Sequence, residues 1–472
     1  MATALSQKNT MDIVSKEKKS LFKTELNDGI VWLSNAYDDI NKGWGYIPEI
    51  PVNVQNTAEV IDTFIKCYEM LTNDQLDILN DCVDAWLEDI HTVDKITIDN
   101  IWILKTLNNI RNHMQIFKTD YRKKVDNAIV ECLGAFFLTQ NEDGGWGDTK
   151  GDLSQVSRTA HALYVISNIV FEPSDYQKNA IEKAINWLLK MQNNDGGWGN
   201  VSKNAITNQY IRRINLSYKQ LEFQYQSNAA CTGHAMMALK AAKPHAYKIQ
   251  LNKAAEYLIK TQEADGHWEL FNEFSLKKEV KVTFKHFSTT IATEALLYTY
   301  SIDYSSEVLI NAIDYLISIQ DPVYKGWKSS STSEIYTWST CNVLSLFMGI
   351  KKHFERIKAS EFMAIIKEWW GLKQEKEISV FKVGRKTFSF NKTFGLSFCI
   401  VFTLLLFTWI AISLVLTNGA IMLGSLDISK VVKALTVIIF TLLIGIPWTV
   451  YIKFSFREME DSWFNTIGWV YG

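Results

Sequence analysis

Through the first three quarters of the chain, apolar residues recur at three- and four-residue spacing, as in Ala180 to Met191 and Leu251 to Thr261. That period predicts amphipathic helices with one buried face. Each such segment ends in glutamine, passes through a Gly-rich stretch carrying a tryptophan, and is followed by a second helical segment rich in small residues. The string Gln140-Asn141-Glu142-Asp143-Gly144-Gly145-Trp146 returns as Gln192-Asn193-Asn194-Asp195-Gly196-Gly197-Trp198 and as Gln262-Glu263-Ala264-Asp265-Gly266-His267-Trp268. Weaker copies are Gln320 to Gly326-Trp327 and Gly43-Trp44. Successive Trp spacings are 102, 52, 70 and 59 residues, and 102 is close to twice 52. A degenerate unit is therefore expected between Trp44 and Trp146, its inner helix near Ile98 to Asn108.

The second helices share one register: Thr57-Ala58-Glu59-Val60, Thr159-Ala160-His161-Ala162, Thr232-Gly233-His234-Ala235, Ala292-Thr293-Glu294-Ala295 and Thr340-Cys341-Asn342-Val343. Small residues let these helices approach closely, as an inner ring requires. The glycines permit positive φ in a tight turn, the tryptophan is a large apolar plug between hairpins, and the glutamine can bond free backbone groups at the next helix end. Six hairpins of this kind predict an all-α fold, an (α/α)6 toroid of stacked repeats.

The pattern changes beyond Glu377. Thr393 to Leu416 runs 24 residues without a charge and Ala434 to Ile452 runs 19, lengths that suit transmembrane helices. Lys382, Arg385, Lys386 and Lys392 precede the first span and Lys453 and Arg457 follow the second, against Lys430 and Lys433 between them. By the positive-inside rule the toroid and the C-terminal tail share the cytoplasmic side of an inner (cell) membrane crossed more than once. The expected organisation is an N-terminal segment 1–26, the toroid 27–376, a basic linker 377–392, a transmembrane hairpin 393–457 and a tail 458–472.

Composition narrows the function classes. Aromatics make up 13% of the residues and include 16 Trp, with only six prolines, which favours helices packed through large side chains. A net charge of -2 excludes a global attraction for nucleic acid. The six cysteines, Cys67, Cys82, Cys132, Cys231, Cys341 and Cys399, form no C-x-x-C pair and read as reduced core thiols. Lys8, Lys16, Lys18 and Lys19 are followed by no apolar stretch before Phe22, so no signal peptide is expected.

The units resemble the Q-W repeats of squalene-hopene and oxidosqualene cyclases and of protein prenyltransferase β subunits, over roughly Asn27 to Trp370. The resemblance implies the toroid, but a fold hosts many activities. Class II cyclases of that family protonate an alkene with the middle acid of Asp-x-Asp-Asp-Thr-Ala. Here the best match is Asn53-Val54-Gln55-Asn56-Thr57-Ala58, all amides where the acids belong, and the next is Val156-Ser157-Arg158-Thr159-Ala160. An amide has no proton to give at a usable pKa. The prenyltransferases hold zinc, which needs three ligands and an open position, yet the corresponding stretch, Ser333 to Trp338, has no cysteine. Cys231 and His234 alone are two of the three ligands required. No metal and no cofactor is therefore expected, and in an enzyme His161, His234, Glu59 or Glu294 would have to replace the absent acids.

The residue two after each motif Thr lies on the same helical face as the missing acid: Glu59, His161, His234, Glu294 and Asn342. These are expected to present a polar ring to the cavity, preceded by Gln55, Ser157, Ala230, Thr290 and Trp338. Two long insertions, Asn200 to Gln226 and Glu269 to Phe287, carry Arg212, Arg213 and several lysines, and Glu279 to Lys285 alternates like an edge β-ribbon. With Arg158 they would form a basic rim suited to an anion. The candidate ligand-binding residues are thus Gln55, Glu59, Arg158, His161, His234, Glu294, Trp338, Arg212 and Arg213. The leading expectation is a membrane-anchored toroid that binds an anionic or amphipathic small molecule and couples it to the bilayer, a layout that resembles bacterial antiphage effectors. Alternatives are a membrane-associated prenyltransferase or cyclase-like enzyme, or a protein-binding toroid. Expected partners are the lipid bilayer, a small-molecule ligand such as a phosphate-bearing one, and further copies of the chain, without nucleic acid.

Overall fold

The computed structural model describes residues 20–90, 97–170, 172–202, 224–269, 271–272, 282–283, 285–328, 334–376, 378–383 and 386–391. Helices are numbered here in their order among these residues. The outer helices are α1 (Lys23–Asn35), α3 (Asn73–Asp89), α5 (Arg122–Leu138), α7 (Asp175–Lys190), α9 (Lys248–Thr261) and α11 (Glu307–Ser318). The inner ones are α2 (Val54–Lys66), α4 (Thr97–Asn112), α6 (Val156–Ile169), α8 (Ala229–Ala242), α10 (Lys285–Tyr298) and α12 (Thr337–Arg356). Each inner helix packs on the next, and α12 packs back on α2, closing the ring. The repeats thus form the α/α toroid, and the degenerate unit has its inner helix where the Trp spacing places it. Trp102 stands on α4, but no Gly-Trp turn introduces that helix.

Local sequence sets these helices. Thr72 and Ser174 start α3 and α7 with reciprocal capping boxes to Gln75 and Gln177, while Asn53 and Asn228 cap α2 and α8 by accepting from the amides of Asn56 and Cys231. Gly233 on α8 marks a close approach, since a Cβ there would stand 2.9 Å from the Ile291 carbonyl oxygen of α10.

The tryptophan turns repeat one set of bonds. Trp44, Trp146, Trp198, Trp268 and Trp327 are fully buried. Their indole N–H groups donate to the outer-helix carbonyls of Leu33, Phe136, Leu188, Leu258 and Leu316. Their backbone amides donate to the hydroxyls of Thr57, Thr159, Thr232, Thr289 and Thr340 at the start of the inner helices. Each tryptophan therefore ties both helices of its hairpin to the turn between them. The repeat glutamines bind one hairpin to the next: Gln140 Nε2 donates to the Gly144 and Ala180 carbonyls, Gln192 to Gly196 and Gln250, and Gln262 to Gly266 and Val308. Gln320 does the same to Lys325 and to Glu25 of α1, and Thr337 Oγ1 donates to the Gly45 carbonyl. The last unit is thus joined to the first.

One expectation needs correction. In the fifth unit the hydroxyl that receives the tryptophan amide is Thr289, at 3.1 Å, so Thr289 rather than Ala292 is the equivalent of Thr57. The long insertion hid this offset of almost one turn because it removed the fixed spacing from Trp to Thr.

The insertion itself is closed by a short antiparallel ribbon, β1 (Phe271–Asn272) with β2 (Val282–Thr283). The chain divides into two compact units, residues 1–367 and 368–472. A further helix, α13 (Ala359–Lys376), spans that division. Within the expected basic linker, β3 (Ile378–Val383) pairs antiparallel with β4 (Lys386–Asn391). Among the described residues no helix is long and apolar enough to cross a membrane. The expected spans, Thr393 to Leu416 and Ala434 to Ile452, lie outside the described residues.

Candidate ligand-binding site

The inner helices enclose a cavity of about 920 Å³, within the size range of small-molecule sites. Counting from each turn Thr, its wall falls into layers. Two residues before the Thr stand Gln55, Ser157, Ala230, Phe287 and Trp338; two after it stand Glu59, His161, His234, Ile291 and Asn342. Five after it stand Asp62, Tyr164, Met237 and Glu294. From Gln55 to Lys66 the wall extends roughly 17 Å along the helices. α4 fills the sixth sector with Ile98, Ile101, Trp102, Lys105 and Asn109.

Apart from Ile291 the middle layer is polar, and it is poorly partnered. Glu59 is 2% exposed. Its Oε1 accepts from Gln55 Nε2 at 2.8 Å, and its Oε2 is buried without a hydrogen-bond partner. Burial pushes the Glu59 carboxyl up to about 8, against the opposing pull of Gln55 and Lys105, so at neutral pH it is a carboxylic acid with a free O–H to donate. The His161 and His234 rings meet at 3.8 Å between centroids. His234 is 2% exposed, and both of its ring nitrogens lack partners. Burial, then the charges of Arg158 and Lys105, lowers His234 to about 3. Burial and His234 hold His161 well below the usual imidazole range. Both rings are therefore neutral, each offering one donor and one acceptor.

The next layer is charged. Asp62, almost fully buried, receives Lys66 Nζ at 2.8 Å and Lys105 Nζ at 3.3 Å, both on Oδ2. Burial pushes Asp62 up, but the charges of Lys105 and Lys66 outweigh it and hold the carboxyl down at about 2. Asn109 Nδ2 donates to Asp62 Oδ1 at 2.8 Å. Lys105 also lies 4.1 Å from the Trp102 ring centroid, a favourable cation–π distance.

The structure gathers Gln55, Glu59, Arg158, His161, His234, Glu294 and Trp338 on this one wall. Glu294 is five residues after Thr289 and so belongs to the layer of Asp62, not that of Glu59. Arg158 is not a free rim cation, since its Nε donates to Asp148 Oδ1 at 2.7 Å. Arg212 and Arg213 lie outside the described residues. Thr290, expected in the preceding layer, is replaced there by Phe287, which meets Trp338 edge-on at 5.4 Å. The sequence reading overlooked Asp62, Lys66 and Lys105. The first two form an i,i+4 acid–base pair on an inner helix, a legible signal, whereas Lys105 lies in the unit without a tryptophan turn to fix its register.

Asn53 and Asn56, at acid positions of the cyclase motif, do structural work: Asn53 Oδ1 accepts from the Asn56 amide at 2.9 Å and from its side chain at 2.9 Å. Cys231 is buried, its thiol pushed up to about 12 by that burial, with Sγ 3.8 Å from Asn200 Oδ1. Among the described residues no three His, Cys, Asp or Glu side chains are grouped as metal ligands.

Residues 153–337 match the squalene-hopene cyclase C-terminal domain. A squalene–hopene cyclase of Bradyrhizobium diazoefficiens is 37% identical over 146 residues, 31% of this chain and 20% of that protein. Sporulenol synthase of Bacillus subtilis is 32% identical over 128 residues, 26% of this chain and 19% of that enzyme. These matches thus span about a fifth of the relatives' length. In fold, the chain is similar to cellobiose 2-epimerase from Bacillus thermoamylovorans, with a TM-score of 0.52 at 12% identity, covering 73% of this chain and all of that one (100%). It is also similar to the GH76A alpha-1,6-mannanase of Salegentibacter, with a TM-score of 0.50 at 10% identity over 70% and 99% of the two chains. At such identities these likenesses concern the fold alone. The chain is thus an α/α toroid, within which residues 153–337 match the squalene-hopene cyclase C-terminal domain.

Proposed function

We propose that the toroid is a binding chamber for a small amphipathic molecule with an anionic group, working without class II acid chemistry. The observation that carries this reading is the middle layer. His234 and Glu59 both line the cavity, are each 2% exposed and carry buried polar atoms without partners, and leaving such groups unsatisfied costs about 1–3 kcal/mol each. A ligand that bonds them recovers that energy, and Phe287, Trp338 and Trp102 offer its apolar part a surface. The acid position of the cyclase motif is Gln55, whose amide is engaged with Glu59. The test is to purify the full chain in detergent, denature it, and identify released small molecules by mass spectrometry. One species near equal stoichiometry, reduced in His234→Phe, is expected. A preparation with no such species, or equal retention by the variant, would overturn the chamber.

The membrane half of the proposal rests on the two uncharged runs after Thr393 and their basic flanks. It places the toroid on the cytoplasmic face, where binding is conveyed to the bilayer; the layout resembles that of an antiphage effector. Full-length chain should float with liposomes on a density gradient, while chain that stays at the bottom would count against the anchor. If the effector role holds, cells expressing the chain resist phage and cells expressing His234→Phe do not.

A second reading, an enzyme acting on isoprenoids, is favoured by the match of residues 153–337 to a cyclase domain. Incubation with squalene decides between them: cyclised product from the unaltered chain would establish the enzyme, and unchanged squalene is expected for the chamber.

A further inference from the structure

Lys66 and Lys105 share a single oxygen of one buried carboxylate. Each ammonium carries three N–H donors and no acceptor. Lys66 uses one on Asp62 and places another 3.4 Å from Ser345 Oγ; Lys105 uses one on Asp62 and lies over Trp102. Both side chains are about one-third exposed, at 33% and 30%, whereas Asp62 is 3% exposed. The cavity wall includes both lysines. Asp62 therefore cancels one of two positive charges and fixes where both point. Across the same layer stands Glu294, which is exposed and whose charge acts on both lysines. Nearer the tryptophan turns, Glu59 and His234 line the same cavity, and Glu59 Oε2 and both His234 nitrogens are buried without partners.

We propose that this charged layer is an anion subsite, in which Lys66 and Lys105, aimed by Asp62, receive a singly charged phosphate or carboxylate group of the ligand. Glu294 accepts a hydroxyl or ammonium beside that group, and the neutral layer of Glu59, His161 and His234 bonds the polar atoms that follow. The subsite lies toward the C-terminal ends of the inner helices, away from the tryptophan turns, so a bound ligand has its charged end there. The two ammoniums converge on one carboxylate oxygen, and lysine acts on anionic groups as a point charge with several donors. A second negative charge on the ligand would meet Glu294 and be disfavoured. This assignment rests on the chamber reading and specifies one end of its ligand.

Inorganic phosphate and acetate serve as probes, titrated against full-length chain in detergent at constant ionic strength set with chloride, with the thermal midpoint as readout. One or both should give a saturable rise, and the pattern tells phosphate from carboxylate. Lys105→Met and Lys66→Met should each weaken the effective anion about ten-fold or more. Asp62→Asn should tighten it about ten-fold, because it removes a competing charge at short range. A merely structural ion cluster predicts the opposite signature: Asp62→Asn lowers the midpoint without probe and leaves the anion affinity unchanged. No saturable response to either probe, or affinities unmoved by both lysine substitutions, overturns the subsite. Small molecules released from wild-type and Lys105→Met chain are measured alongside. Equal retention of a ligand by both, with unchanged anion affinity, sinks the subsite while leaving the chamber intact.

Discussion

Replacing Glu59 by glutamine should stabilise the protein, and do so only when the solution is not acidic. Glu59 is a carboxyl whose folded-state value is raised from 4.5 to about 8, mainly by burial. Folding therefore favours its protonated form. Below 4.5 the group is protonated in both states and carries no penalty; between 4.5 and 8 the unfolded chain gains by ionising while the folded one does not. The native state loses about 1.4 kcal/mol per pH unit across that window, on the order of 5 kcal/mol by its upper end. Glutamine keeps the shape, accepts from Gln55 as before, and presents an N–H where the acid presents an O–H, but it does not titrate. The groups facing Glu59, namely Gln55 and Asp62 on its own helix, Lys105 on α4, Cys341 on α12 and Tyr46 in the adjoining turn, are unchanged. Thermal midpoints of full-length wild type and Glu59→Gln in detergent should coincide near pH 4 and diverge steadily to pH 8, the variant higher. Parallel profiles would mean that Glu59 is not held protonated, and the neutral middle layer would have to be abandoned.

Other outcomes follow from the same structure. Trp198→Ala removes a fully buried ring and its bond to the Leu188 carbonyl, so it should cost about 3–5 kcal/mol in denaturant unfolding. Gly196→Ala should destabilise by more than about 1 kcal/mol, since Gly196 has φ of 92° and a Cβ would stand 2.4 Å from the Lys253 carbonyl oxygen; an unchanged denaturation midpoint would contradict this. Restoring acids at Asn53, Gln55 and Asn56 together should yield no cyclised product from squalene by mass spectrometry. Two of these amides form the α2 cap and the third holds Glu59.

Most of the toroid was legible in the sequence because each unit repeats the same requirement: glutamine, glycine and tryptophan at fixed spacing, followed by a helix with threonine at its start. The Thr has a purpose the pattern could not name, as receiver of the tryptophan amide. Legibility failed where that spacing failed. The insertion before α10 separated Thr289 from Trp268 and put Glu294 in the wrong layer, and the unit built on α4 had no turn from which to place Lys105. Partnering was also out of reach. Arg158 reads as a basic residue in any one-dimensional scan, and only the fold brings Asp148 to it. The same holds for His161 and His234, whose neutrality is a product of burial.

The bonds from Gln320 to Glu25 and from Thr337 to Gly45 have a consequence for how this chain can be cut and rejoined. An open stack of repeats can lose an end unit and keep the remainder, because each unit answers only to its neighbours. Here no unit is terminal in space: α12 rests on α2 and on α1, so deleting the first hairpin strips a partner from the last. Truncation from either end should therefore weaken the far end as well. Moving the chain break to an exposed link between an inner helix and the following outer one, with a linker joining Lys23 to Arg356, should be tolerated, because every hairpin keeps both neighbours.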